Sequence, residues 1–306
     1  MRALNTRAAA PLKRAGGKGR NAMRLIQHFP KAQAWVEPFF GSGAVFFQLP
    51  RGVYKQFLVN DLHSGLSTFF RVLRDRPSEL VRVCSLSPYA QDDYRLALED
   101  SDDELESARR MWVRSRYSFG GIDPTVVGNW ARCAPGPTPW VSDGAAASVE
   151  HFDRYAQQLA GVHVANEDAV KFIRYYALNE HSFIYADPPY VATARAGAVY
   201  KHEMSDEQHR ELIAALNEAV AAGAKVAVSG YPSALYDELL SSWRRVEIDV
   251  SMSMRLKEVG HTERRTEVLW MSYPASEEIG ATLIAPEAKP KTAAEKLLVK
   301  QARHRR

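Results

Sequence analysis

The chain has 306 residues, 46% hydrophobic and 25% charged, the proportions of an ordinary globular protein long enough to bury a full core and carry one smaller module. No run of about 18 apolar residues exists to span a membrane, and the basic start lacks the apolar core of a signal peptide. Two cysteines, Cys84 and Cys133, fall in no metal-type spacing and fit a reducing cytoplasm, which argues against a disulfide scaffold or a metal centre. The net charge of +4 is unevenly spread, because residues 1–31 hold eight Lys and Arg with no acid, and residues 289–306 hold seven with only Glu295. Such basic ends serve either solubility or a polyanion, and a phosphate backbone is the obvious partner through counterion release.

In chain order, residues 19–28 are expected to form a helix, 34–36 a strand, and Phe39-Phe40-Gly41-Ser42-Gly43 a glycine-rich turn. A second strand over 56–59 ends at Asn60-Asp61, and a helix follows over 64–73. Strand, turn, helix and strand in that order predict a parallel sheet with crossover helices. Residues 87–155 break the rhythm. An acidic helical run from Asp92 to Glu106 turns basic through Arg109, Arg110, Arg114 and Arg116, then ends in a Gly/Pro-rich part with Trp130 and Trp140. This stretch reads as a module inserted between two halves of the sheet.

Further strands are expected over 162–166, 183–186 and 225–229, with Ser205 and Gln208 as a capping box for a helix reaching Ala222. The alternating segments 246–252 and 267–273 predict an antiparallel pair joined by a charged connection over 255–265. The expected fold is α/β, a mixed doubly wound sheet with a late antiparallel hairpin. Its catalytic domain would comprise residues 1–86 and 161–280, around a small, mainly helical insertion at 87–160 and before a basic tail at 281–306. In that tail Thr292 and Glu295 would cap a short helix over 293–302, with disorder the alternative.

The apolar run 182–186 ends in Asp187-Pro188-Pro189-Tyr190. Two prolines stop the strand ladder, fix the flanking carboxylate and ring in one relative geometry, and leave the Pro188 carbonyl available. Such a corner suits an exocyclic amino group on a planar base, with Asp187 and the Pro188 carbonyl accepting its two N–H bonds and Tyr190 stacking on the ring. The plainer alternative is a strand ending in a proline turn. The turn Glu37 to Gly43 lets the backbone approach a ligand closely. Asp61 ends the next strand, where an acid commonly binds a cofactor ribose or serves as a helix cap or turn acid. Lys13-Arg14-Ala15-Gly16-Gly17-Lys18 lacks both the Walker spacing and the Ser/Thr after the lysine, which excludes a nucleotide hydrolase.

Lys13 to Lys18, Glu37 to Gly43, Asn60-Asp61 and Asp187 to Tyr190, in this order over residues 12–273, resemble the Dam-type, α-group family of DNA N6-adenine methyltransferases. The resemblance implies a Rossmann-like S-adenosylmethionine-dependent methyltransferase fold with a target-recognition insertion. It implies S-adenosyl-L-methionine as cofactor and double-stranded DNA as partner, with no metal and no membrane. By the same resemblance Arg14, Lys18, Glu37, Pro38, Phe39, Gly41, Gly43, Asp61, Asp187, and Glu167 or Asp168 would border the cofactor or base pocket. Arg14 stands where the family often has an aromatic residue. Arg116-Tyr117-Ser118-Phe119-Gly120-Gly121 is similar to the segment that enters the duplex, with Phe119 as the wedge, and Arg114, Arg116, Asn129, Trp130 and Arg132 are the candidates for base contact, with phosphate-only or protein-only contact the alternative for most of them.

The chemistry of Asp187, Pro188, Pro189 and Tyr190 agrees with methyl transfer to a flipped-out adenine. Acceptors on both N–H bonds favour a tetrahedral nitrogen whose lone pair lies in line with a sulfonium methyl. The same fold could instead serve cytosine N4, RNA adenine or a protein glutamine, or a non-catalytic DNA-binding relative. The resemblance also implies a cytoplasmic, nucleoid-associated protein of bacterial or phage origin. Neither the recognised site, nor the oligomeric state, nor a partnering restriction enzyme is legible in the sequence.

Overall fold

The computed structural model describes residues 10–14, 17–118, 130–131, 141–191, 204–251 and 264–280. Among them, one sheet of seven strands is formed by β1 (Ala34–Glu37), β2 (Gln56–Asn60), β3 (His163–Ala165), β4 (Ser182–Ala186), β5 (Lys225–Gly230), β6 (Arg244–Ser251) and β7 (Arg264–Met271). Across the sheet the order is β3-β2-β1-β4-β5-β7-β6. The first five pair in parallel, and β7 runs antiparallel to both β5 and β6. This is the mixed doubly wound sheet with a late hairpin that the sequence predicts. From β1 the chain winds outward through β2 and β3, then crosses to β4 on the other side of β1. In a parallel sheet such a switch opens a crevice outside the carboxyl ends of the strands.

The central strands β1 and β4 are buried at every position. Helices cover both faces, so these strands read as continuous apolar runs rather than alternations. On one face Trp35, Phe183 and Tyr185 pack around Phe29, with ring centroids 5.0–5.5 Å from its own. On the other, Val36, Ile184, Val226 and Val228 meet Phe172 and Ile173 of α8 (Ala169–Tyr176) and Leu212 and Leu216 of α9 (Asp206–Ala221). The capping box at Ser205 and Gln208 starts α9 as expected. The helix expected over 19–28 is shorter, because a 3-10 turn, Lys18–Arg20, precedes α1 (Ala22–Ile26). Phe29, wholly buried, and Pro30 then turn the chain toward β1. β3 is three residues long, as suits an edge strand paired on one side only.

A helical layer lies on the first of these faces: α2 (Ser64–Asp75), α3 (Pro77–Ser85), α4 (Gln91–Leu96), α5 (Glu104–Tyr117), α6 (Val141–Val149) and α7 (Phe152–Leu159). Helix α5 packs on α2, α3, α4 and α6, and α7 packs on α2 and α3. One apolar core therefore runs from Trp35 through Phe69 and Phe70 to Met111, Trp112 and Phe152. The expected boundary between residues 86 and 87 falls inside this shared core, since α3 belongs with the helices that follow it. Phe119, Asn129, Arg132, Cys133, Trp140, most of the β6–β7 connection and the basic tail lie outside the described residues. No helix among the described residues is long and apolar enough to cross a membrane.

The acidic run is two helices, and its charges are largely spent within the module. Asp103 caps α5 through the Glu106 N–H at 2.7 Å. Arg109 reaches Glu106 at 2.7 Å and Asp93 at 3.2 Å, and Arg110 reaches Glu106 at 2.8 Å. The hydrogen bond from Arg109, joined by that from Arg110, holds the Glu106 carboxyl down to about 2. A depressed acid stabilises the fold above its unfolded value near 4.5, and that contribution is lost as pH falls toward 2. Glu106→Gln is therefore expected to cost about 1 kcal/mol at neutral pH, allowing for solvent screening of a partly exposed network. Chemical unfolding curves of the variant and the parent should draw together as pH falls below about 4.5 and converge toward about 2.

Candidate active site

The carboxyl ends of β1, β2 and β4 meet at one edge of the sheet, where a cavity of about 380 Å³ opens. Its wall takes Pro38, Phe39 and Gly41 from the turn after β1, Asp61 and His63 from the end of β2, and Asp187, Pro188 and Pro189 from the end of β4. Arg14 and Lys18 close it from the N-terminal segment, and Gln208, Glu211 and Leu212 of α9 close the far side. Apolar and aromatic wall is thus interrupted by the carboxylates Glu37, Asp61 and Asp187, which suits a ligand carrying a planar ring and positive charge.

The glycine turn is held by Asp61. Its Oδ2 accepts the Gly41 N–H at 2.7 Å and its Oδ1 accepts the His63 N–H at 2.9 Å, with Arg14 Nη1 at 3.6 Å from Oδ2. The cap of α2 is His63, whose Nδ1 accepts the Gly65 N–H at 3.2 Å, so Asp61 is a turn acid facing the cavity rather than the helix cap. Gly43 has φ of +69°, and a Cβ there would lie 2.6 Å from the Phe47 ring and 2.9 Å from that of Phe40. Glu37 is 2% exposed and accepts from Trp35 Nε1 at 3.1 Å. Burial holds its carboxyl well above the usual range, the Trp35 hydrogen bond opposes this, and the charges of Asp187 and Asp61 add to it.

Lys18 is the most heavily committed charge in the site. It is 4% exposed, and its Nζ lies 2.8 Å from Asp187 Oδ1 and 2.6 Å from Glu267 Oε1 while also donating to the Tyr190 hydroxyl. Burial works against its ammonium, but the charges of Asp187 and Glu267 outweigh this and hold its pKa well above the ordinary lysine value. An ammonium has three donors, so direct contact with a cofactor would require it to release one of these partners. Ser229 Oγ also donates to Asp187 Oδ1, at 2.9 Å, and shares a hydrogen bond with the Tyr185 hydroxyl. Among the described residues Asp187 Oδ2 has no partner, and neither has the Pro188 carbonyl.

The other candidates are placed as follows. Asp168 caps α8 through Val170 and Lys171 N–H and stands in the cavity wall. Glu167 is outside that wall, its backbone held in both directions by the Asn60 side chain. Tyr190 is 9% exposed, its ring 4.3 Å from that of Tyr231 and its hydroxyl turned to Lys18, so the open stacking face expected of it is covered here. Arg116 donates to the Ala10 and Pro11 carbonyls, which gives its guanidinium a structural task in place of the expected DNA contact. Tyr117 is buried with its hydroxyl on the Ser87 carbonyl, and Trp130 packs against Tyr89 at 4.6 Å. Arg114, by contrast, makes no hydrogen bond or ion pair among the described residues, and its Nε is buried without a partner. Sequence reasoning gave Glu267, Ser229, Gln208 and Glu211 no role in the site. For Glu267 the available signal was an acid inside an otherwise apolar buried strand. No three His, Cys, Asp or Glu side chains converge as metal ligands among the described residues. Gly43→Ala should cost about 1–3 kcal/mol in chemical unfolding, from a disfavoured φ and overpacking against two phenylalanines.

Comparison with known proteins places this geometry. Residues 15–120 and 140–254 match the family model described as D12 class N6 adenine-specific DNA methyltransferase. A type II methyltransferase of Lactococcus lactis subsp. cremoris is 25% identical over 274 residues, covering 84% of this chain and 93% of that protein. The DNA adenine methylase of Escherichia coli (strain K12) is 24% identical over 277 residues, covering 86% of this chain and 94% of that protein.

Proposed function

This chain belongs to the D12 class of N6 adenine-specific DNA methyltransferases, and from that premise and the geometry of the cavity we propose that it methylates an adenine flipped out of duplex DNA into the corner formed by Asp187 and Pro188. The family fixes the reaction class: site-specific, S-adenosylmethionine-dependent transfer to adenine in DNA. It also decides between adenine N6 and the cytosine, RNA and glutamine acceptors that the tetrapeptide alone left open. The observation that carries the assignment of roles is the pair of uncommitted acceptors, Asp187 Oδ2 and the Pro188 carbonyl, standing together at the cavity wall.

The residues present fit the methyl donor. Phe39, Pro38 and Leu212 offer apolar surface for an adenine ring, and Asp61 and Asp187 offer negative charge for a cationic ligand. S-adenosylmethionine, when bound, supplies an electrophilic methyl group on a sulfonium. Asp61 positions the glycine turn against it and retains lone pairs for the ribose. Asp187 Oδ2 and the Pro188 carbonyl accept the two N–H bonds of the target amine. This withdraws the nitrogen lone pair from the ring and aims it at the methyl carbon. With the donor bound, the methyl would pass to that nitrogen while the C–S bonding electrons stay on sulfur, and the amine would then lose one proton to solvent. Asp187 offsets the positive charge that develops on nitrogen meanwhile. Asp187→Ala is expected to abolish methyl incorporation into plasmid DNA from labelled S-adenosylmethionine while leaving the fold intact. Incorporation equal to the parent's would sink the catalytic role.

For the DNA, Arg114 is the first candidate within α5, because Arg109, Arg110 and Arg116 are committed to acids or carbonyls. Burial lowers the pKa of its guanidinium, and an incoming phosphate or guanine edge would satisfy it. Arg114→Ala should weaken DNA binding at least about tenfold and, for a phosphate contact, flatten the salt dependence by about one counterion. Arg116→Ala should lower the thermal midpoint while leaving the salt slope unchanged. A protein that acts on DNA in this way would work alongside the chromosome, in the cytoplasm.

A further inference from the structure

Asp187 is served by only one of its two oxygens, and the reason lies across the sheet on β7. Glu267 precedes Val268, which pairs with Gly230 beside Ser229, so the antiparallel register brings the Glu267 side chain to the same edge as Asp187. It is 3% exposed. A carboxylate is costly to bury there unless something requires it. Its Oε1 takes Lys18 Nζ at 2.6 Å and lies 3.5 Å from the Tyr190 hydroxyl.

We propose that Glu267 is a positioning residue for methyl transfer, acting through Lys18 so that Asp187 meets the target amine with one free oxygen and an undiminished negative charge. This rests on the adenine methylation assigned above. Two physical effects support it. The first is geometric. With Glu267 and Tyr190 holding two of its three donors, the Lys18 ammonium has one left for Asp187, and Ser229 occupies the same Oδ1. A lysine without Glu267 would settle onto Asp187 and compete for Oδ2. The second effect is electrostatic. A cation 2.8 Å from Asp187 would neutralise the carboxylate whose charge stabilises the developing ammonium of the substrate. Glu267 pairs with that cation, so Lys18 fixes Asp187 in space without cancelling its field. The raised pKa of Lys18, which burial alone would lower, agrees with two carboxylates sharing one ammonium.

The test separates charge from shape in the full-length protein. Single-turnover methylation of plasmid DNA is measured for the parent, Glu267→Gln and Glu267→Asp, with KM for DNA and the thermal midpoint alongside. Glu267→Gln keeps an acceptor for Lys18 but removes the charge. Its transfer rate should fall at least about tenfold while KM for DNA stays within about twofold. Glu267→Asp restores the charge on a shorter arm and should recover part of that rate. If the Gln variant does not fold, the split between rate and KM in the Asp variant decides alone, and a lowered rate at unchanged KM is the expected result. A Gln variant as fast as the parent, an Asp variant no faster than Gln, or a loss confined to KM would overturn the proposal. A parent protein that transfers no methyl to DNA would instead remove the assignment on which it rests.

Discussion

The burial of one ammonium, that of Lys18, is the constraint around which the site is organised. Three charged side chains, Lys18, Asp187 and Glu267, meet at this point, and removing Lys18 would leave two carboxylates there without their cation. Each comes from a different part of the chain. Lys18 belongs to the N-terminal segment, Asp187 to the end of β4 at the topological switch, and Glu267 to the antiparallel strand β7. The cluster therefore ties the outer hairpin and the N-terminal segment to the sheet edge where the cavity opens. A hydrophobic cluster of equal volume would stabilise the fold at least as well. The arrangement makes sense as chemistry rather than as stability.

The same N-terminal segment is held at its other end by the helical module. Ser115 of α5 hydrogen-bonds both the N–H and the carbonyl of Lys13, and Arg116 takes the carbonyls of Ala10 and Pro11. Arg14 then reaches back to Asp61 under the glycine turn. Residues 10–14 thus lie at the last turn of α5, just before the segment similar to the one that enters the duplex, and Lys18 a few residues on meets Asp187. The arginine that sequence reasoning assigned to DNA is part of this anchorage.

What the sequence disclosed follows from which signals are local. The strands β1 and β4 were legible because a strand buried on both faces must be a continuous apolar run, and Asp187 to Tyr190 because a Pro-Pro corner has few structural uses. The parallel pairing of the early strands followed from connection rules, whereas their order across the sheet is seen only in the fold. The role of Arg116 was not legible, because an arginine spent on backbone carbonyls has the same sequence signature as one facing a phosphate. The neighbours of α3 were not legible for a related reason. The apolar face of α3, with Leu80 and Cys84, does not announce which neighbour will cover it. Glu267 stood in plain view inside Thr266-Glu267-Val268-Leu269-Trp270, but only the antiparallel register of β7 on β5 reveals that it shares an edge with Asp187.

Tyr190 shows how the empty and the occupied site must differ. Its hydroxyl is anchored to Lys18 and its ring lies against Tyr231 at 4.3 Å, so a base that stacks on it has to displace or slide past that neighbour. An aromatic pair of this kind is worth about 1 kcal/mol beyond its buried area, while extruding a base from duplex DNA costs a few kcal/mol. Exchanging one ring for another on Tyr190 is then close to neutral, and stacking alone cannot drive the base into the corner. The larger share has to come from polar contacts that only the correct base makes. Asp187 Oδ2 and the Pro188 carbonyl supply part of them, since a base without an exocyclic amine leaves both unpaired. Selection of the amine and activation of its nitrogen would then rest on the same two acceptors.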